Sequence, residues 1–215
     1  MALYIDLSHP IYDNMPCYPG DLQVSLQQDS SIHQEGHNNF LLTTGMHSGT
    51  HMDGPMHLTS SLTRIAELPL ELFAGIGFLV NVSGQNTIDL PGSALDHLPP
   101  GSIVLFYSGY DSCYHDNSYY LNYPALSENT AHLLVKKKVK MIGLDFPSPD
   151  YAPFIIHKIL LNNNILILEN LTNLSSLLQY RKFELLAFPL KIEADSSPVR
   201  VVARIKEPIN KPSVQ

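Results

Sequence analysis

Short apolar runs separated by turn-forming residues recur through the chain, and most have the length of a buried strand. Alternation of apolar and polar residues marks some of them, and continuous Val, Ile and Leu runs mark the others. The pattern predicts strands over residues 3–7, 22–26, 40–43, 78–82, 102–107, 140–144, 165–168, 183–188, 190–192 and 200–205.

Helical periodicity is confined to three short segments. Ser127 is a favourable N-cap for a helix that runs to about Lys138, a second helix is predicted over 154–161, and a third, short one follows residues 91–93 and ends near Leu98. Strands and helices alternate in the middle of the chain, whereas strands dominate both ends. The sequence therefore predicts one α/β domain over residues 1–215, with a mixed sheet.

The polar stretches between these elements are predicted as loops. Residues 111–123 are polar and rich in tyrosine, which indicates a surface loop, and residues 196–198 read as a turn. Residues 145–150 follow a predicted strand at its carboxyl end, where α/β sheets tend to build their sites. His33 and His37 lie in a polar segment and are interpreted as solvated loop histidines.

Composition and charge exclude several classes of partner. The chain has 215 residues, of which 44% are hydrophobic, and a formal net charge of -7, which speaks against a nucleic-acid partner. Its apolar runs are shorter than the roughly 20 residues that span a bilayer, so no membrane association is expected. The N-terminal residues lack a signal peptide, and Cys17 and Cys113 are too few for a disulfide framework. A cytoplasmic protein with free thiols fits best.

Residues 44–57 concentrate three histidines and one aspartate among glycines. His47 and His51 would share one face of a helix, but the glycines make a loop the better interpretation. In an extended segment His51 and Asp53 point to the same side, and a turn at residues 48–49 brings His47 beside them.

Imidazole nitrogens and a carboxylate oxygen, without a thiolate, suit zinc or another borderline metal. Three such ligands, His47, His51 and Asp53, leave a coordination position open for water, as in catalytic zinc sites. His57 is either a further ligand or a nearby acid/base. The alternative for the whole segment is a histidine-rich surface loop, which this spacing makes much less favourable.

Two residues in the second half of the chain are candidates for the same site. Glu169 ends an apolar strand, and a carboxylate at the edge of a buried strand needs a partner or a metal. His157 lies twelve residues earlier, on a predicted helix that can pack beside that strand. A salt bridge or a helix-cap contact explains Glu169 equally well on the residues alone.

With these residues in view, the chain resembles the cyclase-like metal-dependent hydrolases, which include bacterial kynurenine formamidase. The pattern H-x-G-T-H-x-D-x-P-x-H of that family is matched in full by residues 47–57, and G-x-D-x-x-S-x-D by residues 143–150. His157 to Glu169 matches a later histidine, leucine pair, apolar strand and glutamate, and residues 198–200 match a closing Pro-x-Arg. The resemblance runs through nearly the whole chain.

The resemblance implies a swivelling β/β/α fold and a homodimer or homotetramer. It also implies one or two divalent ions, Zn²⁺ first and Mn²⁺ also compatible, with Asp53 as the bridging ligand. His57 is then the catalytic acid/base. The ligands implied are His47, His51, Asp53, His157 and Glu169.

The resemblance further implies hydrolysis of a small-molecule amide, most concretely the formamide of N-formylkynurenine in tryptophan degradation. Two alternatives stay open: a cyclic amide such as isatin, or another acyl substrate, on the same architecture, and a metal-holding binding protein without turnover. The chain departs from the family at residues 108–110, which read Ser-Gly-Tyr where Thr-Gly-Trp is frequent, and it contains no tryptophan.

Overall fold

The structure is a computed structural model that describes residues 2–206. Within that range the chain forms strands joined by turns and short helices, together with 3₁₀ turns at Ile65–Glu67, Leu70–Leu72, Tyr110–Cys113 and Leu174–Leu177. The strands are β1 (Leu3–Asp6), β2 (Ser25–Ser30), β3 (Asn39–Thr43), β4 (His51–Asp53), β5 (Ala74–Asn81), β6 (Thr87–Ile88), β7 (Ile103–Tyr107), β8 (Ala125–Leu126), β9 (Met141–Leu144), β10 (Leu166–Glu169), β11 (Phe183–Pro189) and β12 (Ser196–Ile205). The helices are α1 (Ile32–Glu35), α2 (Glu128–Lys136) and α3 (Ile155–Asn162).

One eight-stranded sheet, ordered β1-β12-β11-β5-β7-β9-β10-β4, carries the architecture. Strands β5, β7, β9 and β10 run parallel to one another, whereas the remaining pairings in this sheet are antiparallel. Because β4 also pairs with β12, the sheet closes on itself like a barrel. The predicted α/β fold with a mixed sheet is therefore confirmed.

Alternation along the central strands fills both faces of this sheet. In β7, Ile103 and Leu105 pack into one apolar cluster with β11 and β12, whereas Val104 and Phe106 pack into another with α2 and α3. Strands β9 and β10 alternate in the same way. Covering both faces explains why these strands read as continuous apolar runs.

Helices α2 and α3 cover one face, and α2 begins where the sequence predicts. The Ser127 side chain accepts a hydrogen bond from the backbone N–H of Thr130 at 3.0 Å, which confirms the predicted N-cap. Among residues 2–206, no helix has the length and apolar character needed to cross a bilayer.

The short helix predicted after residues 91–93, ending near Leu98, is wrong. Those residues form successive turns in which Ala94 N–H donates to Pro91 O and Leu98 N–H donates to Leu95 O. Prolines bracket the segment, so too few residues remain to offset the cost of nucleating an α-helix. The apolar Leu95 and Leu98 are nevertheless buried, as the pattern requires.

Two strand predictions and one turn prediction also need correction. The strand expected at 22–26 is shifted to β2, and residues 190–192 form no strand. Residues 196–198 are not a turn but the first part of β12, where they pair with β4. Serine and proline residues favour turns, but in this segment the pairing with a distant strand determines the structure.

The tyrosine-rich segment 111–123 is not a surface loop throughout. Tyr114 and Tyr119 are almost completely buried in a cluster with Met15 and Val24, which come from the N-terminal part of the chain. Tyrosine carries a large apolar ring, so a polar-looking segment can still fill a core when a distant part of the chain covers it.

Candidate metal centre and active site

Strand β4 holds the centre of the site because it lies between β10 and β12. His51 and Asp53 are two residues apart, so their side chains point to the same side, as predicted. The ladder places Glu169, the last residue of β10, directly opposite His51, and Ser196 of β12 opposite Asp53. Pairings more than one hundred residues apart in sequence thus bring both halves of the predicted site together.

The predicted ligand side chains converge around Asp53. The His47 Nδ1 atom lies 3.0 Å from Asp53 Oδ1, and His51 Nε2 lies 3.5 Å from the same oxygen. The His157 Nε2 atom lies 3.7 Å from Asp53 Oδ2 and 3.3 Å from Glu169 Oε1, while His51 Nε2 lies 3.3 Å from Glu169 Oε2. All five predicted ligands therefore face one small volume.

A tight turn brings His47 back to this volume. Gly49 adopts a left-handed conformation with φ +62°, and a Cβ atom there would come within 2.7 Å of the Met15 side chain. Both the dihedral angle and the close approach favour glycine. This turn is the one that the sequence predicted at residues 48–49.

Several donor atoms of the cluster are buried and lack a hydrogen-bond partner within residues 2–206. They are His51 Nε2, Asp53 Oδ1 and Glu169 Oε1. Leaving buried polar atoms unsatisfied is costly. Ligands of a tetrahedral zinc ion with bonds of about 2.0–2.2 Å stand about 3.3–3.6 Å apart, close to the spacings of these atoms. The residues present therefore fit a divalent cation.

The second ring nitrogen of each candidate ligand histidine is held by an oxygen. His51 Nδ1 lies 2.8 Å from the Gly49 carbonyl oxygen, and His157 Nδ1 lies 2.5 Å from Asp150 Oδ1. For His47 the partner is Asp195 Oδ2, at 3.0 Å from Nε2. Metal-binding histidines characteristically carry such outer partners, which fix the tautomer and the ring orientation.

Asp150 has a further task at the start of α3. Its Oδ2 atom accepts the Ile156 backbone N–H at 2.6 Å while Oδ1 accepts from the His157 ring. One carboxylate thus caps the helix and aims the histidine of its first turn at the centre.

Electrostatics in the cluster favour protonated imidazoles when no cation is bound. Burial lowers the pKa of His47, but the neighbouring carboxylates of Asp53 and Asp195 outweigh it and raise that pKa to about 9. Burial would also lower the pKa values of His51 and His157, but neighbouring carboxylates raise both. Conversely, burial alone would raise the pKa of Asp53, but the imidazoles of His157 and His47 beside it hold that pKa well below its usual range.

His57 lies at the margin of the cluster: one of its ring nitrogens comes within 4.8 Å of donor atoms of His47 and Asp53, a grouping that could itself hold a metal ion. Its ring stands 4.1 Å from that of His47, centroid to centroid, and its Nδ1 atom lies 3.0 Å from Asp195 Oδ2. A cleft of about 200 Å³ opens over these residues. The cleft is lined by Tyr18, Asp21, His47, His51, His57, Leu58, Tyr120, Pro147, Ser148, Phe154, His157, Glu169 and Asn170. His57 is thus within reach of both the predicted ligands and a molecule in the cleft.

Sequence reasoning missed Asp195 and gave Asp150 no role. Asp150 closes the matched pattern at residues 143–150, so its position carried a signal. Asp195 stands three residues before the closing Pro-x-Arg, but nothing local connects it with residues 47 and 57. His33 and His37 are exposed and lie outside the cluster, in agreement with their interpretation as solvated loop histidines, and the exposed His97 also lies outside it.

An α/β protein that gathers buried imidazoles and carboxylates under a cleft has the kind of site that enzymes use. The chain belongs to the cyclase family: the family's sequence profile, described as "Putative cyclase", matches residues 5–151.

The curated relatives agree with this assignment. The chain is 30% identical over 208 residues to a kynurenine formamidase of Bacillus cytotoxicus, with 94% of this chain and 97% of that protein covered. It is 31% identical over 207 residues to a kynurenine formamidase of Bordetella avium, with 93% and 96% covered. Both relatives are hydrolytic enzymes, and this chain is a hydrolytic enzyme of the same family.

Solved structures show the same fold. Isatin hydrolase A from Labrenzia aggregata superposes with a TM-score of 0.83 at 22% identity, covering 96% of this chain and 94% of that chain. An isatin hydrolase bound to the product analogue thioisatinate superposes with a TM-score of 0.85 at 21% identity, covering 96% and 93%. The predicted membership of the cyclase-like hydrolases is confirmed.

Proposed function

We propose that the protein is an arylformamidase that hydrolyses the formamide of N-formylkynurenine or a close aryl formamide. The observation that carries the proposal is the histidine beside a cluster of metal-binding type, under a cleft with aromatic walls, in a chain about 30% identical to kynurenine formamidases.

The cluster is proposed to hold one or two divalent ions, zinc first and manganese also compatible. The ligands are His47, His51, Asp53, His157 and Glu169. Asp53 has one oxygen near His47 and His51 and the other near His157, which suits a bridging role. Such an ion supplies Lewis acidity and lowers the pKa of a water molecule toward neutrality.

His57 is proposed as the acid/base. An arylamine nitrogen is a poor leaving group until it is protonated, so the reaction needs a proton donor next to the cleft. His57 lines the cleft, and its Nδ1 atom is engaged by Asp195, whereas Nε2 has no hydrogen-bond partner within residues 2–206. That nitrogen is available to take a proton from the attacking water and to deliver it to the departing nitrogen.

Aromatic side chains give the cleft walls that suit a planar ring. Tyr18, Tyr120 and Phe154 line it, and the rings of Tyr18 and Tyr120 meet edge to face with centroids 5.7 Å apart. These residues offer apolar contact and hydroxyl groups although the chain lacks tryptophan.

A cyclic amide is the second candidate substrate. The close superposition with isatin hydrolases favours it, because the same fold accommodates thioisatinate in one of them. Isatin and an aryl formamide both present an amide attached to an aromatic ring, so the chemistry required of the site is similar.

Activity of the metal-loaded protein tests both candidates. Purified protein loaded with Zn²⁺ or Mn²⁺ is offered N-formylkynurenine, a simple aryl formamide and isatin, and metal content is measured on the same sample. We expect formamide cleavage to dominate and to be lost in His57→Ala, with His97→Ala as the matched control at an exposed histidine. Unchanged formamide turnover in His57→Ala contradicts the acid/base role, and turnover of isatin alone contradicts the substrate.

A homodimer or homotetramer is proposed as the assembly. Strands β2 and β3 form a separate two-stranded sheet, and Phe40, Leu41 and Leu42 of β3 are exposed on both of its faces. A two-stranded hairpin alone is marginally stable in water, so a second copy of the chain that packs against these apolar side chains would stabilise it. Sedimentation equilibrium of the wild type and Leu41→Asp measures it; a monomeric wild type contradicts the proposal.

A further inference from the structure

We propose that Asp195 is a positioning residue that holds the acid/base His57 and the metal-ligand candidate His47 on a single carboxylate oxygen. This inference rests on the proposed function, since it assigns the group through which His57 is oriented. Asp195 does not touch the cluster's donor atoms itself; it acts through the two rings.

The geometry is a shared acceptor. Asp195 Oδ2 lies 3.0 Å from His57 Nδ1 and 3.0 Å from His47 Nε2. An ionised carboxylate accepts hydrogen bonds and never donates them, so both ring nitrogens carry the protons. Ser196 Oγ donates to the other oxygen, Oδ1, at 3.3 Å and lies 2.9 Å from His47 Nε2.

The backbone of Asp195 is fixed against the loop that carries both histidines. The Gly54 N–H donates to the Asp195 carbonyl oxygen at 3.0 Å, and a Cβ atom on Gly54 would come within 2.8 Å of that oxygen. On its other side Asp195 leads into β12, where Ser196 pairs with Asp53 of β4. The carboxylate is therefore anchored to the same ladder that presents the predicted ligands.

The consequence for His57 is a defined tautomer. With Nδ1–H donated to Asp195, the neutral ring keeps its lone pair on Nε2. Nε2 takes a proton from the attacking water as the C–O bond forms, and returns it to the amide nitrogen as the C–N bond breaks. The products are the arylamine and formic acid, which loses its proton to solvent and leaves as formate, and His57 ends in its starting protonation state.

The consequence for His47 is complementary. With its Nε2–H on the same oxygen, the neutral ring would offer its Nδ1 lone pair to a cation bound beside Asp53, whose Oδ1 atom lies 3.0 Å from that nitrogen. One carboxylate thereby orients both the acid/base and one predicted ligand. Asp150 offers a natural comparison, because its Oδ1 atom holds the His157 ring and no second histidine within residues 2–206.

Asp195→Asn and Asp150→Asn form the matched pair for the test. Two substrates are compared: an aryl formamide, whose nitrogen must be protonated to leave, and the corresponding aryl formate ester, whose phenolate leaves without a proton. We expect Asp195→Asn to lower kcat for the formamide by about 10- to 100-fold with little change in KM, and to lower the ester rate by a clearly smaller factor, because only the formamide also needs the proton that His57 delivers to the leaving group. Asp150→Asn should lower both rates by one common factor, because it acts on a predicted ligand alone.

Two readouts do not depend on turnover. Nitrogen-15 NMR of the side-chain imidazoles should show one His57 tautomer in the wild type and a mixture in Asp195→Asn. Competition with a chelator should show weaker Zn²⁺ binding in both variants. In a His57→Ala background, Asp195→Asn should lower formamide turnover by a much smaller factor than in the wild-type background, because only its effect through His47 remains and residues that act as a unit are not additive.

Equal losses on both substrates in Asp195→Asn, with the His57 tautomer unchanged, overturn the proposal. If circular dichroism shows that Asp195→Asn does not fold, Asp195→Glu replaces it, because this variant keeps the charge but moves the carboxylate. We then expect a change in the His57 tautomer signal relative to the wild type, together with a larger loss on the formamide than on the ester. Equal losses on the two substrates again overturn the proposal. If the wild type cleaves neither substrate, the proposed function fails, whereas the NMR result still decides whether Asp195 orients His57.

Discussion

Binding of a divalent ion to the metal-free protein should release protons near neutral pH. The pKa of His47 is about 9 without a cation, and those of His51 and His157 are raised by the same carboxylates. A ligand imidazole must offer a neutral nitrogen, so an incoming cation has to displace these protons. Adding Zn²⁺ to chelator-treated protein at several pH values is the perturbation.

The magnitude follows from His47. At pH 7 the solution lies two units below a pKa of about 9. At about 1.36 kcal/mol per unit, deprotonation costs about 2.7 kcal/mol, or about 100-fold in apparent affinity. Each displaced proton makes the affinity rise about tenfold per pH unit below that pKa, so the measured slope counts the protons.

Calorimetric titration in buffers of different ionisation enthalpy gives the number of protons released per ion bound. We expect at least one at pH 7, and an apparent Zn²⁺ affinity that rises steadily from pH 6.5 to 8.5. An affinity that stays flat over this range, with no proton released, refutes the reasoning. His47→Gln, which removes the titrating ring, should reduce the number released.

The same shift has the opposite effect on the stability of the metal-free protein. The pKa of His47 is raised in the folded state, so its contribution is fully present below the unfolded pKa of about 6.5 and disappears as pH rises through about 9. The loss is about 3 kcal/mol, and urea unfolding at pH 6 and pH 9.5 measures it.

Two further predictions concern the scaffold. Ser127→Ala removes the acceptor for the Thr130 N–H and should lower the free energy of unfolding by about 1 kcal/mol in urea titrations, with an unchanged midpoint counting against the cap. Gly77→Ala places a Cβ atom 2.2 Å from the Phe183 ring on the neighbouring strand and should destabilise by about 1–3 kcal/mol. Gly92→Ala, with open space around its Cβ position, is the control and should be nearly neutral; equal effects at both glycines contradict the packing argument.

Local patterns in the sequence predicted one half of the site well. Alternation set His51 and Asp53 on one side, and the glycines of the loop indicated the turn that returns His47. These are properties of a few consecutive residues, so they can be read without the fold. The residues alone do not distinguish a metal-binding role for Glu169 from a salt bridge, because its neighbour His51 comes from a strand more than one hundred residues away.

Long-range pairing explains what the sequence concealed. Residues 196–198 looked like a turn, and only their place beside β4 makes them a strand and brings Asp195 to the histidines. The burial of Tyr114 and Tyr119 depends similarly on Met15 and Val24. Periodicity reports which residues can be buried, whereas the identity of their neighbours comes from topology.

The pairing of β4 with β12, which closes the sheet, has a consequence for folding during synthesis. A growing chain that already contains residues 47–57 still lacks β12, which pairs with one side of β4, and Asp195, whose carboxylate contacts His47 and His57. Both are missing until residues 195–205 have left the ribosome. Partial products should therefore be inactive, and activity should arise only after residues 195–205 have emerged.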